Sequence, residues 1–270
     1  MPTQPALAAH AVSIGYGRSV IVQDLDLAVE KGSFTALLGP NGSGKSTLLR
    51  ALARLLPLRG GTIALDGRPI DGLSARQLAR RIGVLGQGTA APDGMTVAEL
   101  VRQGRYPHRS LFSRWSAADE TACADALAQT GALHLKDRLL ESLSGGQRQR
   151  AWISMTLAQE TDILLLDEPT TYLDLAHQVE VLELMRELTV ARGKTVVAVL
   201  HDLNLAARYA DRIAFLKDGR LVAHGRAEEL MSARTIEDVF GLACSVLVDP
   251  FTGKPLCVPA LKARAPVADR

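Results

Sequence analysis

The chain has 270 residues, room for one large domain or two small ones. With 47% hydrophobic and 22% charged residues it has the make-up of a folded protein, which excludes disorder of the whole chain. The 31 basic and 29 acidic residues leave a net charge of +2, and aromatics are only 4%, so neither a basic nucleic-acid face nor a stacking platform for single strands is expected.

Residues 1–10 carry no basic stretch followed by an apolar one, so no secretion signal is read there. No run approaches the ~20 apolar residues that span a bilayer. The expected location is the cytoplasm, with any membrane reached through a partner. Cys123, Cys244 and Cys257 are odd in number and far apart. They read as buried thiols in a reducing compartment, not as a disulfide framework or paired zinc ligands.

Apolar and polar positions alternate through residues 11–14 and 25–29, the pattern of antiparallel strands. Phe34–Leu38 is a short apolar strand running into Gly39-Pro40-Asn41-Gly42. Helical spacing follows over residues 46–56 and is stopped by Pro57. Residues 62–65 and Ile82–Leu85 read as strands, with a helix over 75–80 between them. From about 96 to 159 the periodicity is helical with no convincing strand, broken once at Tyr106-Pro107-His108, which reads as a helical subdomain inserted into an α/β core. Strands at Ile163–Leu166 and 195–200 then alternate with helices at 175–191 and Leu203–Tyr209, the mark of a parallel sheet covered by helices. Asp218-Gly219 is a hairpin signal between 213–216 and 221–223. Residues 246–248 and 256–258 are expected to pair across Thr252-Gly253, and the last ten residues, lacking pattern, to form a mobile tail.

Three segments carry chemistry. Gly39-Pro40-Asn41-Gly42-Ser43-Gly44-Lys45-Ser46 fits G-x-x-x-x-G-K-[ST], with Thr47 next. Its glycines let backbone N–H groups turn inward around a phosphate chain, and the following helix presents its positive end. Lys45 supplies a charge for the β- and γ-phosphates, and the Ser46 hydroxyl is placed for Mg²⁺. Ile163–Leu166 ends in Asp167-Glu168, where Asp167 is expected to hold Mg²⁺ and Glu168, pointing elsewhere, to polarise an attacking water. Leu143-Ser144-Gly145-Gly146-Gln147 opens a helix and offers a second N-terminal anion site, to which Ser144 adds a hydroxyl.

In this order the three motifs resemble the nucleotide-binding domain of ATP-binding cassette proteins, over roughly residues 7–230. The resemblance implies a P-loop α/β core with a mainly parallel sheet, an antiparallel β-subdomain and the inserted helical subdomain. The expected division is an ATPase domain over 7–240 and a C-terminal hairpin and tail over 241–270. It further implies that Tyr16 stacks on adenine, that Gln87 senses Mg²⁺ and the attacking water, and that His201 contacts the γ-phosphate. Asp174 corresponds to the aspartate that touches the opposite subunit, although Thr171-Tyr172 stands where the family has Ser-Ala. In such a homodimer the phosphate loop of one chain and the Ser144–Gln147 segment of the other enclose one ATP.

Cassette proteins of DNA repair need a long coiled coil, those of translation usually carry tandem cassettes, and a P-loop kinase lacks the Leu-Ser-Gly-Gly-Gln segment. None of these fits, and no nucleic-acid partner is expected. Gly104–His108, Leu111–Trp115, Glu168–Asp174 with His177-Gln178, and His201–Ala206 resemble the ATPases of ferric siderophore uptake. Haem and cobalamin importers remain as alternatives. The implied partners are integral membrane permease subunits and, indirectly, a substrate-binding protein, with this chain peripheral on the cytoplasmic face. The stretch 106–115, with Tyr, Leu, Phe and Trp, reads as a patch where a short permease helix docks, or as an ordinary amphipathic loop.

Overall fold

The computed structural model describes residues 4–88, 92–110 and 114–260. In chain order, strands β1 (Leu7–Tyr16), β2 (Ser19–Val29) and β3 (Phe34–Leu38) lead into helix α1 (Lys45–Leu52). Then come β4 (Leu58–Leu65), β5 (Arg68–Pro69), α2 (Ala75–Ala79) and β6 (Ile82–Leu85). Helices α3 (Val97–Gln103), α4 (Ala117–Gln129) and α5 (Gly145–Ala158) follow, joined by 3₁₀ turns. The remainder is β7 (Ile163–Leu166), α6 (Leu175–Val190), β8 (Thr195–Val199), α7 (Leu203–Tyr209), β9 (Arg212–Lys217), β10 (Arg220–Gly225), α8 (Ala227–Leu230), α9 (Ala233–Phe240), β11 (Cys244–Val248) and β12 (Pro255–Pro259).

Sheet order follows from which strands can be buried on both faces. The main sheet runs β10-β9-β3-β8-β7-β6, parallel from β9 to β6, with β10 antiparallel at the edge. Its interior strands are continuous apolar runs, as two covered faces require. Alternate residues feed two cores. Leu164, Leu166, Val196 and Ala198 face a core completed by α5, α6, α7 and α9. Ile163, Leu165, Val197 and Val199 face a second core. That second core holds α1 through Leu48, Leu49 and Leu52, packed against β1 and β2 of an antiparallel sheet ordered β2-β1-β4-β5. Between Thr96 and Gln159, α3, α4 and α5 pack on one another, and the described residues there contain no strand beyond an isolated bridge between Thr96 and Leu139.

Several boundaries differ from the sequence pattern, β4 among them, which begins at Leu58 instead of 62. The first two strands are longer than their alternating stretches, because β1 pairs with both β2 and β4. Helix α1 ends at Leu52 instead of 56, since Arg54 turns to φ 55° and its guanidinium donates to Ile70 O and Leu73 O, both at 2.6 Å. The C-terminal strands pair as a hairpin over a longer span, Cys244–Val248 with Pro255–Pro259, and Leu247 lies opposite Leu256. The expected tail, 261–270, lies outside the described residues, as do Leu111, Phe112 and Ser113.

Candidate functional site

Parallel pairing brings the strand ends together. Leu37 lies beside Val199, Leu166 beside Ala198, and Leu85 beside Leu166. The residues that follow these strands therefore emerge side by side at one edge: the loop 39–44 after β3, His201 after β8, Asp167 and Glu168 after β7, and Gln87 after β6. Open α/β sheets bind ligands at this carboxyl edge. A cavity of about 570 Å³ opens there, within the size range of small-molecule sites. The loop contributes Asn41, Gly42, Gly44, Lys45, Ser46 and Thr47; the strand ends contribute Gln87, Glu168 and His201; β1 and β2 contribute Tyr16 and Ile21.

The loop is shaped by close backbone approach. At Gly39, φ is 152° and a Cβ would stand 2.0 Å from Leu216 O, so no side chain fits. Lys45 is buried, and its ammonium donates to Gly39 O and Pro40 O at 2.9 Å each. Burial pushes its pKa down, while the carboxylates of Glu168 and Asp167 pull it back up. The Ser43 hydroxyl is buried without a hydrogen-bond partner. Gly39, Pro40 and Ser43 build the loop without lining the cavity.

The two adjacent carboxylates do different things. Asp167 is buried; its Oδ1 accepts from the Ser46 hydroxyl at 2.6 Å, while Oδ2 makes no hydrogen bond and has Arg50 Nη2 at 3.7 Å. Burial raises its pKa, opposed by the Ser46 hydrogen bond and the Arg50 charge. Glu168 sits at φ 54°, a left-handed backbone that turns its side chain away from that of Asp167. Its carboxylate is gripped from three sides: Gln87 Nε2 at 2.9 Å, the Thr171 hydroxyl at 3.0 Å and His201 Nε2 at 3.0 Å. Thr171 and Ile21 are site residues that sequence reasoning missed. Thr171 reaches Glu168 through the turn at the left-handed Glu168 backbone, and Ile21 reaches the cavity through the pairing of β1 with β2.

Of the residues expected to hold Mg²⁺, Ser46 and Asp167 are in contact and Gln87 is turned to Glu168. A hydroxyl and a buried carboxylate with an unpartnered oxygen are hard donors that fit this ion.

Ser144, Gly145, Gly146, Gln147 and Asp174 are not brought into the cavity. Ser144 caps α5: its hydroxyl accepts from Gln147 N–H at 3.3 Å, and its own N–H donates to Gln147 Oε1 at 3.2 Å. Asp174 caps α6 and also holds His177 Nδ1 at 2.7 Å. The His177 ring lies against Gly146, where a Cβ would come within 2.4 Å of it. Asp174 is thus linked through His177 to the start of α5. Gly145 lines a neighbouring cleft with Glu168, Gln87 and Tyr172. Tyr172 is left-handed at φ 63° and almost wholly exposed, so the departure at 171–172 keeps a hydroxyl inside and puts an aromatic outside. Of the stretch 106–115, Tyr106 is exposed, whereas Trp115 is half-buried, stacked by Arg102 and Arg109 and donating to Glu120 at 2.7 Å.

The family pattern described as ABC transporter matches residues 22–171. Among similar curated proteins are a petrobactin import ATP-binding protein of Bacillus anthracis (49% identity; 97% of this chain, 96% of that protein) and the ferric enterobactin transport ATP-binding protein of Escherichia coli (49%; 94% of this chain, 93% of that protein). Among solved structures, a chain from an ABC transporter described as of the metal-chelate type, in an inward-facing conformation, aligns with a TM-score of 0.83 (29% identity; 96% of this chain, 98% of that one). A dimeric ATP-binding cassette in a post-hydrolysis state with ADP and Pi aligns with a TM-score of 0.70 (28%; 82% and 98%). Among the described residues no helix is long and apolar enough to cross a membrane.

Proposed function

This chain belongs to the ABC transporter family, and on that premise we propose that it is the ATP-hydrolysing subunit of an importer for ferric siderophores. The single observation that carries the catalytic part is the grip on Glu168, whose carboxylate meets Gln87, Thr171 and His201 at the mouth of the phosphate loop. The cargo assignment rests on what the relatives with 49% identity are named for, petrobactin and ferric enterobactin.

In this reading ATP lies in the cavity beside Lys45, with adenine against Tyr16. Lys45 exchanges its contacts to Gly39 O and Pro40 O for phosphate oxygens, and backbone N–H groups of the cavity-lining part of the loop and of the start of α1 take the rest. Ser46 and Asp167 hold Mg²⁺, which supplies charge neutralisation for the phosphates. Glu168 orients the attacking water and accepts its proton; Gln87, Thr171 and His201 keep that carboxylate aimed. Ser144–Gln147 and Asp174, standing outside the cavity, serve the ATP of a second copy of this chain. Two such copies sit on permease subunits at the cytoplasmic face of the membrane, and a substrate-binding protein delivers the cargo from the other side. Nucleic acid has no part in it.

The test is Glu168→Gln, which keeps size and hydrogen bonding and removes the proton acceptor. Hydrolysis should fall about 10²–10⁴-fold while ATP still binds. Normal turnover in this variant would overturn the assignment. For the cargo, deletion of the gene should abolish growth on ferric siderophore as sole iron source; unimpaired growth in a strain with no second siderophore system would refute it.

A further inference from the structure

The β11–β12 hairpin stands outside both larger sheets. It is tied down at three places. Cys257 is buried in the core on the α6–α7 side of the main sheet. Lys254 Nζ meets Glu228 Oε1 of α8 at 2.7 Å, close to the hairpin's turn. Asn204, in the first turn of α7, takes hold of β12 from its other side. Its Nδ2 donates to Cys257 O at 3.1 Å and its Oδ1 accepts from Cys257 N–H at 2.7 Å. One carboxamide thus makes the pair of bonds that a neighbouring strand would make, and leaves no backbone group of Cys257 unpaired.

Asn204 lies three residues beyond His201. The segment between them is rigid at both ends. On the near side Leu200 N–H donates to Leu37 O at 3.1 Å, the last bond of β8 to β3. On the far side Asp202 Oδ1 accepts from Asn204 N–H and Leu205 N–H, both at 2.8 Å, and so fixes the start of α7. The His201 side chain itself is 44% exposed, so surrounding side chains do little to place it. Its Nε2 lies 3.0 Å from Glu168 Oε1.

We propose that Asn204 is a positioning residue for ATP hydrolysis: by clamping α7 to the C-terminal hairpin it holds the His201 imidazole at Glu168. Asn204 lines no part of the nucleotide cavity. The inference rests on the role given to His201 above, and the experiment separates the two.

The purified full-length chain is assayed for ATPase activity as wild type, Asn204→Ala, His201→Ala and the double variant. In Asn204→Ala, kcat should fall about 10- to 100-fold, the range for a misplacement near 1 Å, with KM for ATP unchanged. In the His201→Ala background the same substitution should cause no further loss, because the two residues act as one unit. Lys254→Ala loosens the hairpin at its other anchor and should change kcat by less than about twofold. Asn204→Asp keeps the acceptor for Cys257 N–H and loses the donor to Cys257 O; it should show the same fall in kcat and serves where the alanine variant does not fold. An unchanged kcat in both Asn204 variants, or an equal fold loss with and without His201, overturns the positioning role. Wild-type turnover in His201→Ala overturns the assignment of His201, and this inference with it.

Discussion

Lys45 is held by two carbonyl oxygens of its own loop, in a position where burial disfavours its charge. Phosphate oxygens are stronger acceptors for an ammonium than amide carbonyls, and they bring the compensating charge that the loop lacks. Lys45→Ala should weaken ATP binding by roughly 1.5–3 kcal/mol, the worth of a hydrogen bond to a charged group, and abolish turnover. Isothermal titration with a non-hydrolysable ATP analogue measures the first and phosphate release the second; undiminished affinity would contradict this role. The residues read from the sequence at this scale, Lys45, Ser46, Asp167 and Glu168, were legible because each motif is contiguous and its chemistry is local. Thr171 and Ile21 were not. Their place is decided by a turn at left-handed Glu168 and by the pairing of β1 with β2, neither of which a residue type announces.

At the scale of elements, the interior strands were legible as unbroken apolar runs and the helices by their spacing. The end of α1 was hidden, because the carbonyls that draw Arg54 out of the helix lie 16 and 19 residues further along the chain. Strand order was hidden for the same reason: β3 lies between β8 and β9, which follow it by more than half the chain. The helical subdomain is fastened by a buried ion pair, Arg105 Nε to Asp119 Oδ1 at 3.0 Å, with Arg105 Nη1 also on Ala158 O at 2.7 Å. One guanidinium therefore joins the ends of α3 and α5 to the start of α4. Hydrogen bonding from Ser116, aided by Arg105, holds the Asp119 carboxyl down to about 2 against an ordinary 3.8. A pKa lowered by folding means stability that is present above pH 3.8 and lost as pH falls towards about 2. Asp119→Asn should lower stability at neutral pH and flatten its decline across that window relative to wild type. Urea midpoints taken at several pH values compare the two slopes; parallel slopes would show that Asp119 contributes nothing to acid sensitivity.

For the molecule as a whole, the sequence offers two candidate anion-binding helix starts, and the fold keeps them apart: α1 opens into the cavity and α5 does not. In the reading proposed above, a second copy brings the Ser144–Gln147 segment of one chain to the phosphates of the other. Glu168→Gln, arrested with ATP bound, should therefore shift from monomer to dimer on size exclusion when ATP is added. Adding Ser144→Arg should prevent the shift, since a bulky cation would fill the exposed start of α5. A dimer that forms regardless of residue 144 would mean that the copies associate through another face.

The cap on α5 has a consequence for that encounter. The Ser144 hydroxyl already occupies the N–H of Gln147, and the Gln147 side chain already occupies the N–H of Ser144. If ATP is shared as proposed, an incoming phosphate competes with a ligand that the helix supplies to itself, worth about 1 kcal/mol. An anion offering charge-assisted bonds of roughly 1.5–3 kcal/mol can displace it, whereas a weaker acceptor cannot. On that premise, contact between copies through the start of α5 is favoured only once a nucleotide brings its negative charge there.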